Sequence, residues 1–284
     1  EELILKLNWQ ASEIDLLVFV SQTPDYVLPA TSCVLHSKLK LSPHALTFDV
    51  NQGCSGFVYG LQLASSLLTT GKIKKALLLV GDTCSKFISK EDRSTALLFG
   101  DAGSATALEF GNASPTMFHL GTDGSGYEKL IIPAGGFRLP KSSDTKIKIE
   151  NQNNWRNAEE LYMDGGEIFN FTIKKVPPML SELFEFAKTS IDQVDYFVFH
   201  QANLFMLNHL RKKAKIEPSK FLTSIEEYGN TSSASIPITL TTSLKNTSEL
   251  KNKKIALFGF GVGFTWAGCL ISTDHLQHIG HIDL

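Results

Sequence analysis

The stretch Asp49-Val-Asn-Gln-Gly-Cys54-Ser-Gly-Phe-Val-Tyr-Gly-Leu-Gln-Leu-Ala-Ser-Ser-Leu-Leu68 decides the organisation of this chain. A short extended run, residues 46–50, leads into it, and apolar residues then recur with helical spacing. Cys54 therefore lies where a strand turns into a helix. Gly53 and Gly56 flank it, so the backbone can turn tightly and another group can approach closely. The helix is apolar nearly all round, so we expect it to be buried.

Cys54 is the candidate nucleophile of the chain. A thiol at a helix N-terminus has its thiolate form favoured by the helix dipole and by unpaired backbone N–H groups. The same N–H groups can receive the oxyanion that forms when a thiol attacks a carbonyl. The alternative is a small cysteine of the core, because free cysteine is among the most buried residue types.

The composition narrows the class of protein. A chain of 284 residues allows one large domain or two halves that share a core. The net charge of -2 argues against a nucleic-acid-binding protein, which should be clearly basic. No apolar run approaches the ~20 residues that span a bilayer. The four cysteines are widely spaced with no C-x-x-C pair, so we predict neither a zinc site nor a disulfide framework. Cysteines without disulfides are typical of a reducing compartment, so we predict a cytoplasmic location.

Short apolar runs alternate with helical patterns, which predicts an α/β fold. The predicted strands are residues 16–20, 46–50, 74–80, two pieces within 96–110, then 196–200, 255–258 and 266–272. The predicted helices are residues 1–10, 30–40, 57–68, 164–187 with a break at Pro177-Pro178, 201–214 and 231–245. Residues 111–160 are polar and rich in Gly, Pro and Asn, which predicts loops and short strands.

The chain repeats itself at a long period. Residues 14–19 resemble residues 194–199 at an offset of 180, and the run after Ile73 resembles the run after Asn252 at an offset of 179. Two matching strands at nearly one offset indicate two duplicated βαβ-containing halves, which we place at residues 1–160 and 161–284. This duplication puts the sites of the two halves at comparable ends of equivalent elements, where α/β sheets usually hold their sites.

Two further residues are candidates for chemistry. His200 ends a predicted strand and can project into a site; the alternative is a structural histidine. Asn230 precedes a run of small residues that opens a helix, and the alternative is an ordinary N-cap. The glycine-rich loop at residues 258–266 is not a dinucleotide fingerprint, because Phe264 occupies the position of the third glycine.

Four motifs together resemble 3-oxoacyl-[acyl-carrier-protein] synthase III, the initiating condensing enzyme of fatty acid synthesis. These motifs are Gly53-Cys54-Ser-Gly, His200-Gln-Ala-Asn203, Gly229-Asn230-Thr-Ser and Gly261-Val-Gly263-Phe-Thr-Trp266, supported by residues 99–103 and 163–169. The resemblance implies a thiolase-like fold with two similar halves in five αβαβα layers, and a homodimer. It also implies a catalytic triad of Cys54, His200 and Asn230, with the backbone N–H groups of Cys54 and Val262 as the oxyanion hole.

The reaction implied by the resemblance has two steps. An acyl-CoA or acyl carrier protein acylates Cys54, and decarboxylative Claisen condensation with malonyl-acyl carrier protein then gives a 3-oxoacyl product. Coenzyme A and carrier-protein thioesters are the substrates, with no metal and no redox cofactor. Two alternatives remain: an acyltransferase that moves the acyl group to a hydroxyl or amine without condensation, and a non-catalytic dimer partner.

The chain departs from the family pattern in three places. The family's first strand and helix are absent before Glu1, so we expect that residues upstream have been removed. Two residues after the His-Gln-Ala-Asn motif, Phe205 stands where the family has an arginine. In the turn at residues 261–263, Val262 stands where the family has a glycine. The substrate- and carrier-binding residues that we assign are Gly165, Phe169, Asn203, Phe205, Arg211, Lys212 and Lys215. For the basic run that ends this set, the alternative is a solvated helix face.

The remaining cysteines and histidines receive no chemical role. Cys33, Cys84 and Cys269 lie in apolar or small-residue contexts, so we predict that they are core thiols. The tail residues His275, His278 and His281 recur every three positions, but a metal site would need a second anchoring element. We also predict that the homodimer buries the loops around residues 84–95 and the strand that leads to Cys54.

Overall fold

The structure is a computed structural model that describes residues 1–111, 116–151, 153–245, 247 and 250–282. Its helices are α1 (Glu2–Lys6), α2 (Thr31–Leu39), α3 (Gly56–Leu68), α4 (Gly165–Phe186), α5 (Leu204–Lys213), α6 (Ile225–Tyr228) and α7 (Ser235–Ser243). Its strands are β1 (Leu16–Val20), β2 (Leu46–Val50), β3 (Lys75–Asp82), β4 (Ala102–Glu109), β5 (Met117–Thr122), β6 (Leu130–Ile131), β7 (Ile149–Asn151), β8 (Asn154–Arg156), β9 (Tyr162–Met163), β10 (Tyr196–Phe199), β11 (Phe221–Leu222), β12 (Lys254–Gly261) and β13 (Thr265–Ser272).

Two sheets repeat one topology. The first sheet has the order β2-β1-β3-β4, and the second has the order β11-β10-β12-β13-β5. In the first sheet β1 runs parallel to β2 and β3, and β4 is antiparallel. In the second sheet β10 runs parallel to β11 and β12, and β13 is antiparallel. The predicted duplication is therefore confirmed. The additional strand β5 precedes residue 160 but pairs with β13, so the boundary between the halves stays a prediction.

The molecule is built in five layers. Helix α3 contacts β1 and β3 on one side and β12 and β13 on the other, and α7 likewise touches both sheets. Helix α2 covers the outer face of the first sheet, and α4 covers the outer face of the second. The central position of α3 explains why it is apolar nearly all round, because Phe57, Val58 and Leu61 all pack into the core between the sheets. The predicted αβαβα arrangement is confirmed.

Helix α4 is continuous, and the predicted break at Pro177-Pro178 is wrong. A proline inside a helix removes one N–H donor, so the carbonyl four residues earlier loses its partner. For Pro177 that carbonyl belongs to Ile173, and the ammonium of Lys213 on the neighbouring α5 donates to it at 3.2 Å. A hydrogen bond from another helix therefore replaces the one that proline removes.

Residues 96–110 contain one strand, β4, and the prediction of two strand pieces is wrong. The backbone before β4 forms an isolated bridge in which Phe99 lies beside Asn230. The N–H of Asn230 donates to the Leu98 carbonyl at 2.8 Å, and the N–H of Gly100 donates to the Asn230 carbonyl at 3.0 Å. The backbone of residues 98–100 therefore forms its hydrogen bonds with the loop at Asn230, and these residues do not join a sheet.

The prediction that three cysteines are core thiols is confirmed for two of them and wrong for the third. Cys84 and Cys269 are buried, as predicted, but Cys33 is exposed on α2, where the buried residues are Thr31 and Ser32. Helix α2 also packs Leu35 and Leu39 against the core, and Cys33 lies on the face of the helix that points away from it. Among the described residues, no helix is long and apolar enough to cross a membrane.

Candidate active site

Cys54 lies between β2 and α3, beneath the loop that follows β12. Its side chain is only 7% exposed. A Cβ atom added to Gly261 would lie 2.7 Å from the Cys54 sulfur, a separation that real contacts do not reach. Gly261 also has a φ of 153°, so glycine is required there for both space and backbone conformation.

Two backbone N–H groups act on the thiol of Cys54. They belong to Val262 and to Cys54 itself, and both lower the pKa of the thiol. Paired N–H donors beside a nucleophile are the arrangement that stabilises the oxyanion of an acyl-transfer intermediate. The valine in place of the family's glycine keeps this donor, because only its backbone is used.

Burial nevertheless raises the pKa of Cys54 to about 11, and the negative charge of Asp82 raises it further. The two N–H groups oppose these effects without cancelling them. The expectation that the helix N-terminus favours a thiolate is therefore not met, and the thiol is protonated at neutral pH.

His200 follows β10 and is 1% exposed. Its Nδ1 forms a 2.7 Å hydrogen bond with the hydroxyl of Ser235 at the start of α7. Burial lowers the pKa of His200 to about 3, and a hydrogen bond with the Ser232 backbone partly opposes this shift. The imidazole is therefore neutral at pH 7, so one ring nitrogen carries a hydrogen and the other can accept one.

Asn230 is fixed by both its backbone and its side chain. The segment Leu98–Gly100 holds its backbone on both sides, as described above. Its side-chain oxygen accepts a 3.0 Å hydrogen bond from the N–H of Ser232. This is the local bond that an N-cap would make, and it leaves the NH₂ of the same amide as the group that can donate to a ligand.

The structure brings the three candidate catalytic residues together in one mostly apolar cavity. Cys54 enters it from the first half of the chain, and His200 and Asn230 enter it from the second half. The other lining residues are Leu98, Phe99, Leu130, Met163, Gly165, Ile168, Ala202, Asn203, Met206, Phe260 and Gly261. A polar cavity of about 280 Å³ adjoins it, sharing Met163 and Gly165, and is lined in part by Arg156.

The assigned substrate-binding residues fall at the cavity and at its edge. Gly165 and Asn203 line the cavity, and Asn203 also caps α5 by accepting from the N–H of Met206 at 2.8 Å. Phe169 lies beside Phe205, with ring centroids 5.6 Å apart. Phe205 is 72% exposed, so an apolar ring lies on the surface at the position where the resemblance implies an arginine.

The basic run on α5 does not act as one unit. The guanidinium of Arg211 donates to the carbonyl of Ile216 at 3.2 Å and is half-buried. Lys213 donates to Ile173 on α4, as described above. Lys212 and Lys215 are exposed. Of the three basic residues assigned to carrier binding, these two lysines present their charges to solvent.

Sequence reasoning missed Asp82 at the end of β3. This carboxylate is 3% exposed and accepts hydrogen bonds from residues of both halves of the chain. The signal available in the sequence was an aspartate two residues after the apolar run Ala76–Val80. Nothing near it in the sequence shows that it faces Ser233.

The histidine tail makes hydrogen bonds of its own. The two ring nitrogens of His281 lie 3.0 Å from the hydroxyls of Tyr228 and Thr241. Within the described ranges, no group of three or more His, Cys, Asp or Glu side chains is arranged to hold a metal ion.

Known proteins share this architecture along nearly the whole chain. The family model for 3-oxoacyl-[acyl-carrier-protein] synthase III matches residues 48–124, and the model for its C-terminal part matches residues 184–273. A putative 3-oxoacyl-[acyl-carrier-protein] synthase 3 from Campylobacter jejuni is 37% identical over 279 residues, which cover 96% of this chain and 77% of the relative. A beta-ketoacyl-[acyl-carrier-protein] synthase III from Clostridioides difficile is 35% identical and covers 94% and 78% in the same order.

A solved structure agrees with this result. The 3-oxoacyl-(acyl-carrier protein) synthase from Burkholderia xenovorans LB400 superposes with a TM-score of 0.90 at 46% identity, covering 98% of this chain and 79% of that one. The duplicated sheets, the buried cysteine at a helix start and these matches lead to one family. The chain belongs to the 3-oxoacyl-[acyl-carrier-protein] synthase III family and is a condensing acyltransferase of fatty acid biosynthesis with a thiolase-like fold.

Proposed function

We propose that Cys54 is the covalent acyl carrier of a two-step reaction. In the first step its sulfur attacks the carbonyl of an acyl thioester, and the N–H groups of Cys54 and Val262 stabilise the tetrahedral oxyanion. Collapse of that intermediate expels the thiol of coenzyme A or of the carrier, which takes up the proton that the Cys54 thiol released. The observation that carries the proposal is that Cys54 lines one cavity with His200 and Asn230.

In the second step a malonyl thioester occupies the cavity. In the tautomer that we propose, the Ser235 hydroxyl donates to Nδ1 of His200 and Nε2 carries the hydrogen. This hydrogen and the amide NH₂ of Asn230 donate to the thioester carbonyl. Loss of carbon dioxide leaves the electron pair as an enolate on that oxygen, which both donors stabilise. The enolate carbon then attacks the acyl group and expels the Cys54 sulfur.

The substrates follow from this chemistry. Two thioesters supply every atom of the product, so we propose that coenzyme A and carrier-protein thioesters suffice without a metal or a redox cofactor. The four free cysteines fit a cytoplasmic location. We further propose a homodimer, because the apolar strand β2 is the edge of its sheet and its residues are exposed or half-buried in one chain.

We propose that Lys212 and Lys215 contribute to docking of the acidic carrier protein. Both are exposed, whereas the guanidinium of Arg211 donates to the backbone carbonyl of Ile216. Reversing the two lysine charges should raise the apparent KM for malonyl-acyl carrier protein and leave acylation by acyl-CoA unchanged. The same reversal at Lys38 on α2 and at Lys40, directly after that helix, is the control. An unchanged KM at low salt would reject this docking surface.

Intact-protein mass spectrometry with acyl-CoA, followed by malonyl-acyl carrier protein, tests the assignment of the triad. Cys54→Ala should give no acyl adduct. His200→Ala and Asn230→Ala should each retain an adduct but lose condensation by at least ~10², the typical cost of one oxyanion donor. The double variant should be little worse than either single variant, because both groups act on one oxygen.

Two outcomes would change this assignment. The absence of an adduct on His200→Ala, with a normal adduct on Asn230→Ala, would make His200 the base that deprotonates Cys54. An acylated wild-type protein that releases no carbon dioxide from malonyl-acyl carrier protein, but passes its acyl group to a hydroxyl or amine, would instead show simple acyl transfer.

A further inference from the structure

Asp82 is a buried carboxylate for which the two-step reaction has no use. It accepts hydrogen bonds at Oδ1 from the N–H of Gln22 at 2.7 Å and the hydroxyl of Ser21 at 3.2 Å. At Oδ2 it accepts from the N–H of Ser233 at 3.1 Å and from the hydroxyl of the same residue at 2.7 Å. No ion pair involves it among the described residues, so these four bonds are its compensation for burial.

The negative charge of Asp82 works against the nucleophile, since it contributes to the raised pKa of Cys54. Any benefit to the reaction must therefore come from what the carboxylate binds. Its two oxygens join different halves of the chain. The loop at Oδ1 packs on the residue before Cys54, where a Cβ added to Gly53 would clash with the side chain of Gln22.

The turn at Oδ2, Ser232–Ala234, is in contact with both proposed donors. The N–H of Ser232 donates to the Asn230 side chain, and the Ser232 backbone also bonds to the ring of His200. Ser232 has a φ of 51°, a left-handed conformation that is strained for a residue other than glycine. Such a conformation persists where neighbouring groups hold it. Here the side chain of Asn230 accepts from the N–H of Ser232, and Asp82 accepts from the N–H of Ser233.

We propose that Asp82 is a positioning residue that holds the left-handed Ser232 turn, and through it His200 and Asn230, in register with the loop beside Cys54. The carboxylate thereby sets the angle at which the two donors meet the thioester oxygen. This inference rests on the roles proposed above for His200 and Asn230.

Three single substitutions separate the charge of Asp82 from its bonds to the turn. Asp82→Asn removes the charge, and because an amide has one acceptor oxygen it cannot keep both the Gln22 and the Ser233 N–H bonds. Ser233→Ala keeps the charge but removes one bond to the turn. Ser21→Ala is the matched control, since it also removes one bond to Asp82 but on the side away from the turn.

The first measurement compares the two half-reactions. Asp82→Asn and Ser233→Ala should lower the rate of condensation by at least ~10-fold, a fraction of the 10²–10³ that a lost donor costs. Ser233→Ala should acylate at the wild-type rate, and Asp82→Asn should acylate at least as fast, because loss of the negative charge increases the thiolate fraction of Cys54. Ser21→Ala should stay within about twofold of the wild type in both steps. The positioning role is rejected if Asp82→Asn condenses at the wild-type rate. It is also rejected if the rates of acylation and condensation in this variant fall by the same factor and the midpoint of unfolding falls with them.

The second measurement is the pH midpoint of Cys54 alkylation in a Cys33→Ser background. The titratable groups facing Cys54 are Asp82, Cys84 and His200, and of these Asp82 supplies the negative charge. The midpoint should fall in Asp82→Asn and stay unchanged in Ser233→Ala and Ser21→Ala. A purely structural role would not separate the variants in this way, and an unshifted midpoint in Asp82→Asn would contradict the placement of its charge.

The third measurement does not depend on turnover. The ¹⁵N resonances of the His200 ring should shift in Asp82→Asn and Ser233→Ala and remain in place in Ser21→Ala. Unmoved resonances in the first two variants reject the role of Asp82. A wild-type protein that fails to condense rejects the proposed function instead, so the two failures are distinguishable.

Discussion

Cys54 and His200 show how strongly burial controls charge in this site. A helix N-terminus stabilises a nearby negative charge by about 0.3–1 kcal/mol, rising to ~2 in buried geometries. The pKa of Cys54 nevertheless rises from 9.0 to about 11, a net cost of roughly 3 kcal/mol for the thiolate. Removal from water therefore outweighs the dipole, and a small thiolate fraction must carry the first step.

The pH dependence of acylation follows from this balance. Between pH 6 and pH 9 the single-turnover rate of Cys54 acylation should rise about tenfold per pH unit, because the thiolate fraction does so below a pKa of about 11. His200→Ala should show the same slope. A plateau above pH 7 would show that bound substrate lowers the pKa of the thiol far below about 11.

His200 should also make stability depend on pH. Its folded-state pKa of about 3 lies below the ordinary value of 6.5, so the folded state binds fewer protons than the unfolded state. The resulting stabilisation is present above pH 6.5 and is lost as the pH falls toward 3. Between pH 7 and pH 5 the free energy of unfolding should drop by about 2 kcal/mol from this group. His200→Asn should remove that part of the drop in urea titrations, and an equal drop in both proteins would contradict the assignment.

At the level of elements, the contact between α4 and α5 is directly testable. Lys213→Ala should lower the free energy of unfolding by about 1 kcal/mol, because the Ile173 carbonyl loses its donor. Lys212→Ala, a neighbouring exposed lysine on α5, is the control. In a Pro177→Ala background the new N–H can bond to Ile173, so Lys213→Ala should then cost less. Equal costs in the two backgrounds, measured by urea titration, would show that the lysine does not replace the missing bond.

The elements that the sequence predicts well are those whose signal is local. Strands β1 and β10 are short apolar runs, and helix α3 is apolar nearly all round, so their burial follows from that pattern alone. The resemblance to a family then implies the triad of Cys54, His200 and Asn230. The errors arise where a distant partner decides the structure. Leu98 bonds to Asn230, Lys213 bonds across 40 positions to Ile173, and Asp82 meets Ser233 across 151 positions.

The whole molecule places its reaction centre between its two halves. The nucleophile comes from the start of α3 in the first half, and both proposed donors and Gly261 come from the second half. The duplicated sheets bring equivalent ends of β3 and β12 to this boundary, which lets Asp82 at the end of β3 reach the turn before α7. Neither half alone contains the complete site, so its geometry depends on how the sheets pack across α3 and α7.

The proposed homodimer is the prediction at the largest scale. Strand β2 is a sheet edge with free backbone groups, and Leu97, beside the loops around residues 84–95, is 94% exposed. A second copy covering this face would bury both features. Sedimentation velocity at micromolar concentration should give a dimer, and Leu97→Asp should shift it toward monomer because a charge would lie in the apolar contact. Phe186→Asp, at a 64% exposed position at the end of α4, should leave the dimer intact. A monomeric wild type would contradict the homodimer. Equal loss of the dimer in both variants would contradict the assignment of the contact to this face.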